Sequence, residues 1–84
     1  MKIKIFGREY NVGDNLPPDH MREVARYLNN KMEEISKEIS NRSYSDIAVL
    51  AALNITDDLL EERKLKAEAE AKLKKLLSQL EGVS

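Results

Sequence analysis

The segment from Ala48 to Ile55 reads AVLAALNI, and seven of its eight residues are apolar. A helix that packs on one neighbour needs a single apolar stripe, so a helix with two adjoining apolar surfaces implies two neighbours. On a helical wheel, the first surface holds Ala48, Ala52, Ile55 and Leu59, and the second holds Val49, Leu53 and Leu60. A chain of 84 residues provides one neighbour from its own fold. We expect the other to be a second copy of the chain.

Composition supports self-association in a different way. Charged residues make up 35% of the chain and aromatic residues 5%, which leaves little material for a large core. Small domains usually need a disulfide, a metal or a partner chain for stability. The sequence has no cysteine and one histidine, His20, so disulfides are excluded and a structural metal site is not expected. No cofactor is expected either.

Strict alternation of apolar and polar residues opens the chain in KIKIFGREYNV, residues 2–12. This pattern predicts a β-hairpin, and we place its two-residue turn at Gly7-Arg8 because glycine readily adopts positive φ. Arg8 would then lie at the hairpin tip. The expected register pairs Ile5 with Tyr10 and Ile3 with Val12 on one face, and Phe6 with Glu9 and Lys4 with Asn11 on the other.

Two helices follow the linker GDNLPPD. The first is predicted at about 18–39, with a heptad-like seam that Val24 and Tyr27 widen into a stripe for the hairpin. The second runs from about Ser45 to about Glu81, roughly 55 Å at 1.5 Å per residue, after a capping box at Ser43-x-x-Asp46. The seam of the first helix is Met21, Ala25, Leu28, Met32, Ile35 and Ile39.

The fold class predicted from these elements is α+β: an N-terminal hairpin packs on two helices, and the second helix extends into a C-terminal coiled coil. The expected domains are a globular head at 1–61 and a coiled-coil extension at 62–84. The extension carries a narrow, irregular seam of Leu65, Ala69, Leu73, Leu76 and Leu80. This seam favours a short or weak coiled coil, and a solvated single helix is the alternative.

The segments IFGREY, DHMREVARYLNNKMEEI and AVLAALNITDDLL, in this order, resemble the ZapA family of bacterial proteins associated with the division GTPase FtsZ. The resemblance covers roughly residues 3–62. It implies a non-enzymatic, cytoplasmic scaffold at the midcell division ring that self-associates and crosslinks FtsZ protofilaments. Because the extension is short, a homodimer and the antiparallel homotetramer of the family both stay open.

The resemblance also assigns residues. The hairpin arginine that family members present to FtsZ matches Arg8, and the dimerising helix matches residues 47–55. Phe6, Lys37 and Arg42 are further candidates for FtsZ contact. A second subunit covering Phe6 is the alternative for that residue, and basic residues placed like Lys37 and Arg42 are more often only solvated. The residues expected to mediate self-association are Val49, Leu50, Leu53, Leu60, Leu73, Leu76 and Leu80.

Other functional classes have less support. The sequence lacks a cysteine nucleophile, a glycine-rich phosphate loop and a second histidine, so no enzyme activity is expected. A formal net charge of -1 argues against a nucleic-acid-associated dimer in which Lys2, Lys4 and Arg8 grip phosphate. A small coiled-coil adaptor for another partner is the remaining alternative. No apolar run approaches the ~20 residues of a membrane span, and the N-terminus does not read as a signal peptide.

Overall fold

The computed structural model describes residues 1–82. Its elements are two strands and two helices: β1 (Lys2–Ile5), β2 (Arg8–Asn11), α1 (Pro18–Glu38) and α2 (Tyr44–Glu81). The predicted fold class is therefore confirmed. The chain divides into two compact units, Met1–Leu53 and Asn54–Ser84, called here the first and the second unit. The predicted domain boundary after residue 61 stays a prediction.

The hairpin forms, but the predicted register is wrong by two residues. Ile5 pairs with Arg8 and Ile3 with Tyr10, while Lys4 pairs with Glu9. Arg8 is thus the first residue of β2 and does not lie at the tip. Since side chains alternate between faces with a period of two, a two-residue shift leaves the faces unchanged. Ile3, Ile5 and Tyr10 still share one face, as predicted.

The turn consists of Phe6 and Gly7, whose φ angles are 45° and 86°. Positive φ at both central residues is the property of a type I′ turn, whose twist matches that of the strands it joins. A bulky residue such as phenylalanine rarely adopts positive φ, at a cost of about 1–3 kcal/mol. Asn29 of α1 offsets part of this cost. Its Oδ1 accepts a hydrogen bond from the Phe6 N–H at 2.6 Å, and its Nδ2 donates to the Lys4 carbonyl at 2.9 Å.

Helix α1 begins at Pro18, where a missing N–H costs nothing because the first-turn N–H groups have no helical partner. Every residue of its predicted seam is buried or half-buried, so the seam is confirmed. Met32 is fully buried in a core that also contains Ile5, Ala25, Ile47 and Ala51. The predicted widening of the stripe is wrong, because Val24 and Tyr27 are exposed.

Helix α2 begins after Ser43, whose Oγ accepts a hydrogen bond from the Asp46 N–H at 3.1 Å, as an N-cap does. In the first unit, α2 packs on the core through Ile47 and Ala51. The first predicted surface of this helix is only partly correct, because Ala48 packs against the core while Ala52 is exposed. None of the helices in residues 1–82 is long and apolar enough to cross a membrane.

Met32→Ala should destabilise the protein substantially. The Met32 side chain is 0% exposed, and truncating such a residue costs about 2–5 kcal/mol through lost burial and the cavity that remains. Thermal unfolding followed by circular dichroism should show a large fall in Tm. Leu16→Ala is the control, because it shortens an exposed linker residue and should cost less than about 1 kcal/mol. Equal falls in Tm for the two variants would contradict this description of the core.

Candidate functional site

Arg8 is an exposed cation that the fold holds in place. Its Cζ lies 4.1 Å from the centroid of the Tyr44 ring, which is the geometry of a cation–π contact. Because Arg8 pairs with Ile5, its side chain leaves the hairpin on the face that packs on the helices. The guanidinium can still form a bidentate contact with a carboxylate, since stacking on a ring uses its face and leaves its N–H edges available.

Tyr44, the first residue of α2, is itself fixed by two hydrogen bonds. Its hydroxyl donates to the Ile5 carbonyl at 2.7 Å and accepts from the Tyr10 hydroxyl at 3.0 Å. Desolvation raises the pKa of Tyr44, and the hydrogen bond with Tyr10 raises it further, while the charge of Arg8 acts in the opposite direction. The Tyr44 hydroxyl therefore stays protonated as a donor, and both hydrogen bonds orient the ring beneath Arg8.

Phe6 does not occupy the predicted position opposite Glu9, since it forms the turn. Its half-buried ring packs against the core, with its centroid 6.1 Å from that of Tyr44 at an interplanar angle of 54°. Phe6, Arg8 and Tyr44 thus form one cluster, called here the hairpin cluster. Phe6 and Arg8 each contact the ring of Tyr44.

The other two basic candidates lie outside this cluster. Arg42 is exposed in the loop before α2, and since it precedes Tyr44 by two residues their Cα atoms are at most ~7 Å apart. Lys37 is exposed in the last turn of α1. Within residues 1–82, neither side chain shares a hydrogen bond or a ring contact with Arg8. Whether they contact a partner stays a prediction.

The register also separates the three basic residues of the nucleic-acid alternative. Arg8 shares a face with Ile5, whereas Lys2 and Lys4 alternate to the opposite face of the hairpin. These three cations therefore do not converge on one phosphate. Nor does any group of three or more His, Asp or Glu side chains in residues 1–82 converge as metal ligands.

The candidate self-association residues are mostly uncovered in the single chain. In the first unit, Val49 is 58% exposed, Leu53 is 62% exposed and Leu50 is half-buried. An open apolar cleft of about 470 Å³ also lies in this unit, between Ile5 and Tyr10 of the hairpin and Ala48 and Ala52 of α2. In the second unit, the exposed leucines are Leu59, Leu60, Leu65, Leu73, Leu76, Leu77 and Leu80.

Tyr44→Phe and Tyr44→Leu should separate the two roles of this residue. Tyr44→Phe removes the hydrogen bonds to Ile5 and Tyr10 but keeps the ring, so it should cost about 1 kcal/mol of unfolding free energy. Tyr44→Leu also removes the support of Arg8 and the Phe6 contact, and should cost more. Urea denaturation measures both values. Equal stability of the two variants would show that the ring contacts contribute nothing.

Known proteins of one family are similar to this chain over most or all of its length. The family described as "Cell division protein ZapA" matches residues 1–83. A cell division protein ZapA of Shouchella clausii is 43% identical over 68 residues, which cover 81% of this chain and 83% of that protein. A cell division protein ZapA of a Geobacillus species is 36% identical over 74 residues, covering 88% of this chain and 82% of the relative.

Two solved structures share the fold. An unknown conserved bacterial protein from Pseudomonas aeruginosa PAO1 has a TM-score of 0.70 and 33% identity, and the match covers 99% of this chain and 93% of the other. A ZapA mutant dimer from Geobacillus stearothermophilus has a TM-score of 0.69 and 27% identity, covering 88% of this chain and 86% of the other. The second of these proteins is a dimer by its description.

Proposed function

We propose that this chain, which belongs to the family of cell division proteins ZapA, is a non-enzymatic scaffold that binds FtsZ and crosslinks its protofilaments. Its place of action would be the cytoplasm, at the midcell division ring. Family membership supports a role in cell division, and the exposed cation of the hairpin cluster supports a protein contact. The uncovered apolar residues support a multivalent assembly.

The assembly we propose is at least a homodimer. The observation that carries this proposal is the exposure of Val49 and Leu53 on α2, next to the buried residues of the same helix. Soluble proteins rarely leave such contiguous apolar surfaces in water unless a partner covers them. The relative from Geobacillus stearothermophilus is a dimer, which is consistent with a second copy as that partner.

Arg8 is the proposed FtsZ contact. Arginine is enriched among the residues that dominate binding energy at interfaces, particularly where a rigid environment fixes its position. Stacking on Tyr44 limits the freedom of the guanidinium before binding, so less conformational entropy is lost in the complex. A carboxylate on the filament surface would provide the complementary charge. Phe6 lies on the same cluster and would add apolar contact at the edge.

Crosslinking follows from having two such sites in one assembly. A dimer that holds one filament through its first site presents the second site at high effective concentration to a neighbouring filament. Weak individual contacts then give strong bundling. No chemical step is required of the protein, which is the basis for proposing a scaffold rather than an enzyme.

Co-sedimentation with FtsZ polymerised in GTP tests this proposal directly. The wild-type protein should pellet with the filaments at high speed and should remain in the supernatant when GDP replaces GTP. Protein that stays in the supernatant with GTP filaments would refute FtsZ binding.

Truncation after Glu62 should reduce bundling while filament binding stays detectable. The truncation removes the leucines from Leu65 to Leu80, which are exposed in the single chain and form the predicted coiled-coil seam. It keeps Arg8 and the exposed residues of the first unit. Light scattering measures bundling, and high-speed pelleting measures binding. Scattering equal to that of the wild type would show that the seam is not needed for crosslinking.

A further inference from the structure

A second surface of the first unit has the chemistry of a peptide-binding site. We propose that the cleft between β1 and α1 binds an extended acidic peptide segment. The cleft lies on the outer edge of β1 and does not include Arg8 or Tyr44. The proposal is therefore independent of FtsZ binding through the hairpin cluster.

The cleft is an open depression of about 560 Å³, and four basic residues are among those that line it. Lys2 and Lys4 come from β1, and Arg22 and Arg26 come from α1. The two arginines are four residues apart and therefore lie one above the other on the same face of the helix. Ala25 between them is buried and small, so it provides a floor without filling the space.

The charge of this wall is the main argument for an acidic ligand. Four of the 14 basic residues of the chain line the cleft, and its lining contains no acidic side chain, although the chain as a whole has a net charge of -1. Arg22 is able to bind a carboxylate, since its Nη1 lies 2.8 Å from Oδ1 of Asp19, which precedes it by three residues on α1 and does not line the cleft. Both side chains of that pair are well exposed, so exchange for a ligand carboxylate costs little.

The free edge of β1 specifies an extended peptide rather than another polyanion. The sheet has two strands in residues 1–82, so no strand pairs with the outer edge of β1. Hydrogen-bonded and non-hydrogen-bonded pairs alternate along an antiparallel ladder. Because Met1 and Val12 exchange backbone hydrogen bonds, Lys2 and Lys4 belong to non-hydrogen-bonded pairs, and their N–H and C=O groups point away from β2. The Lys4 carbonyl accepts from Asn29, which leaves its N–H and both groups of Lys2 for a ligand backbone. Strand addition at such an edge is a common mode of peptide recognition.

Fluorescence anisotropy can test the proposal with a labelled short peptide of alternating glutamate and threonine. Three further probes are the same peptide with glutamine for glutamate, a backbone N-methylated form and a single-stranded oligothymidine. The variants are Arg22→Glu/Arg26→Glu and, as an independent pair, Lys2→Glu/Lys4→Glu. Lys64→Glu/Lys66→Glu in the second unit is the matched control, since it makes the same change of charge at exposed positions.

We expect the acidic peptide to bind the wild type and the control, and to bind each cleft variant at least about tenfold more weakly. N-methylation and the glutamine exchange should each weaken binding by a similar factor. Circular dichroism should give unchanged Tm values for the variants because all four cations are exposed. The proposal would be overturned if the acidic peptide did not bind, or if the control variant lost as much affinity as the cleft variants. Full binding of the N-methylated peptide, or tighter binding of oligothymidine than of the peptide, would also overturn it.

Discussion

Val49→Asp/Leu53→Asp should convert the protein from an oligomer into a monomer. Both side chains are more than half exposed in the single chain, so the substitutions remove little internal packing. If two copies meet at this surface, the introduced aspartates would be buried there as unpaired carboxylates. That burial would make the free energy of association less favourable by several kcal/mol. We expect the dissociation constant of the dimer to rise at least about a hundredfold. Sedimentation equilibrium at micromolar concentration measures the change.

Ser45→Asp is the control for this experiment, because it adds a negative charge to the first turn of α2, where the helix dipole favours it. This variant should keep the mass of the wild-type assembly. The monomeric variant should retain its helical circular dichroism, although its Tm should depend less on protein concentration. A double variant that sediments like the wild type would place the interface elsewhere. A wild type at 9.6 kDa would contradict self-association altogether.

Arg8→Glu should weaken filament binding by about tenfold to a hundredfold without dissociating the dimer. The substitution reverses the charge that would meet a carboxylate on FtsZ, and charge reversal at a contact is costly. The substitution removes the cation–π contact with Tyr44, but Phe6 and Tyr44 still pack against the core through their rings. High-speed pelleting over a range of filament concentrations gives the affinity.

Two further variants make the test of Arg8 specific. Arg8→Lys keeps the charge but loses the planar group that stacks on Tyr44 and binds a carboxylate through two N–H groups, so it should have an intermediate affinity. Arg63→Glu reverses an exposed arginine of the second unit and should bind like the wild type. If Arg8→Glu also binds like the wild type, Arg8 is a structural residue of the hairpin cluster only.

The architecture was predictable from periodicity because each element has a clear signal. Alternation indicates the hairpin, the seam from Met21 to Ile39 indicates α1, and the uninterrupted run after Ser43 indicates α2. The division of α2 between core and surface was less predictable. A helical wheel gives the two apolar surfaces but not the exact direction of the core, which the structure places at Ile47 and Ala51.

The hairpin register was not predictable from local preference. Gly7 marks a two-residue turn, but the turn can include the residue before or after it, and positive φ at Phe6 argues against the correct choice. Contacts from distant residues decide the outcome, namely the hydrogen bonds of Asn29 and the packing of Tyr44. Those contacts also place Arg8 over an aromatic ring. The sequence alone does not show that the Tyr44 ring supports Arg8.

The most direct test of crosslinking compares two pelleting speeds for wild type and Val49→Asp/Leu53→Asp with FtsZ filaments in GTP. High-speed pellets collect single filaments with whatever they bind, and low-speed pellets collect only bundles. We expect the variant to keep its Arg8-dependent binding and to pellet with filaments at high speed. Unlike the wild type, it should no longer bring FtsZ into the low-speed pellet. If the monomeric variant brings as much FtsZ into the low-speed pellet as the wild type does, then self-association through Val49 and Leu53 is not what crosslinks the filaments.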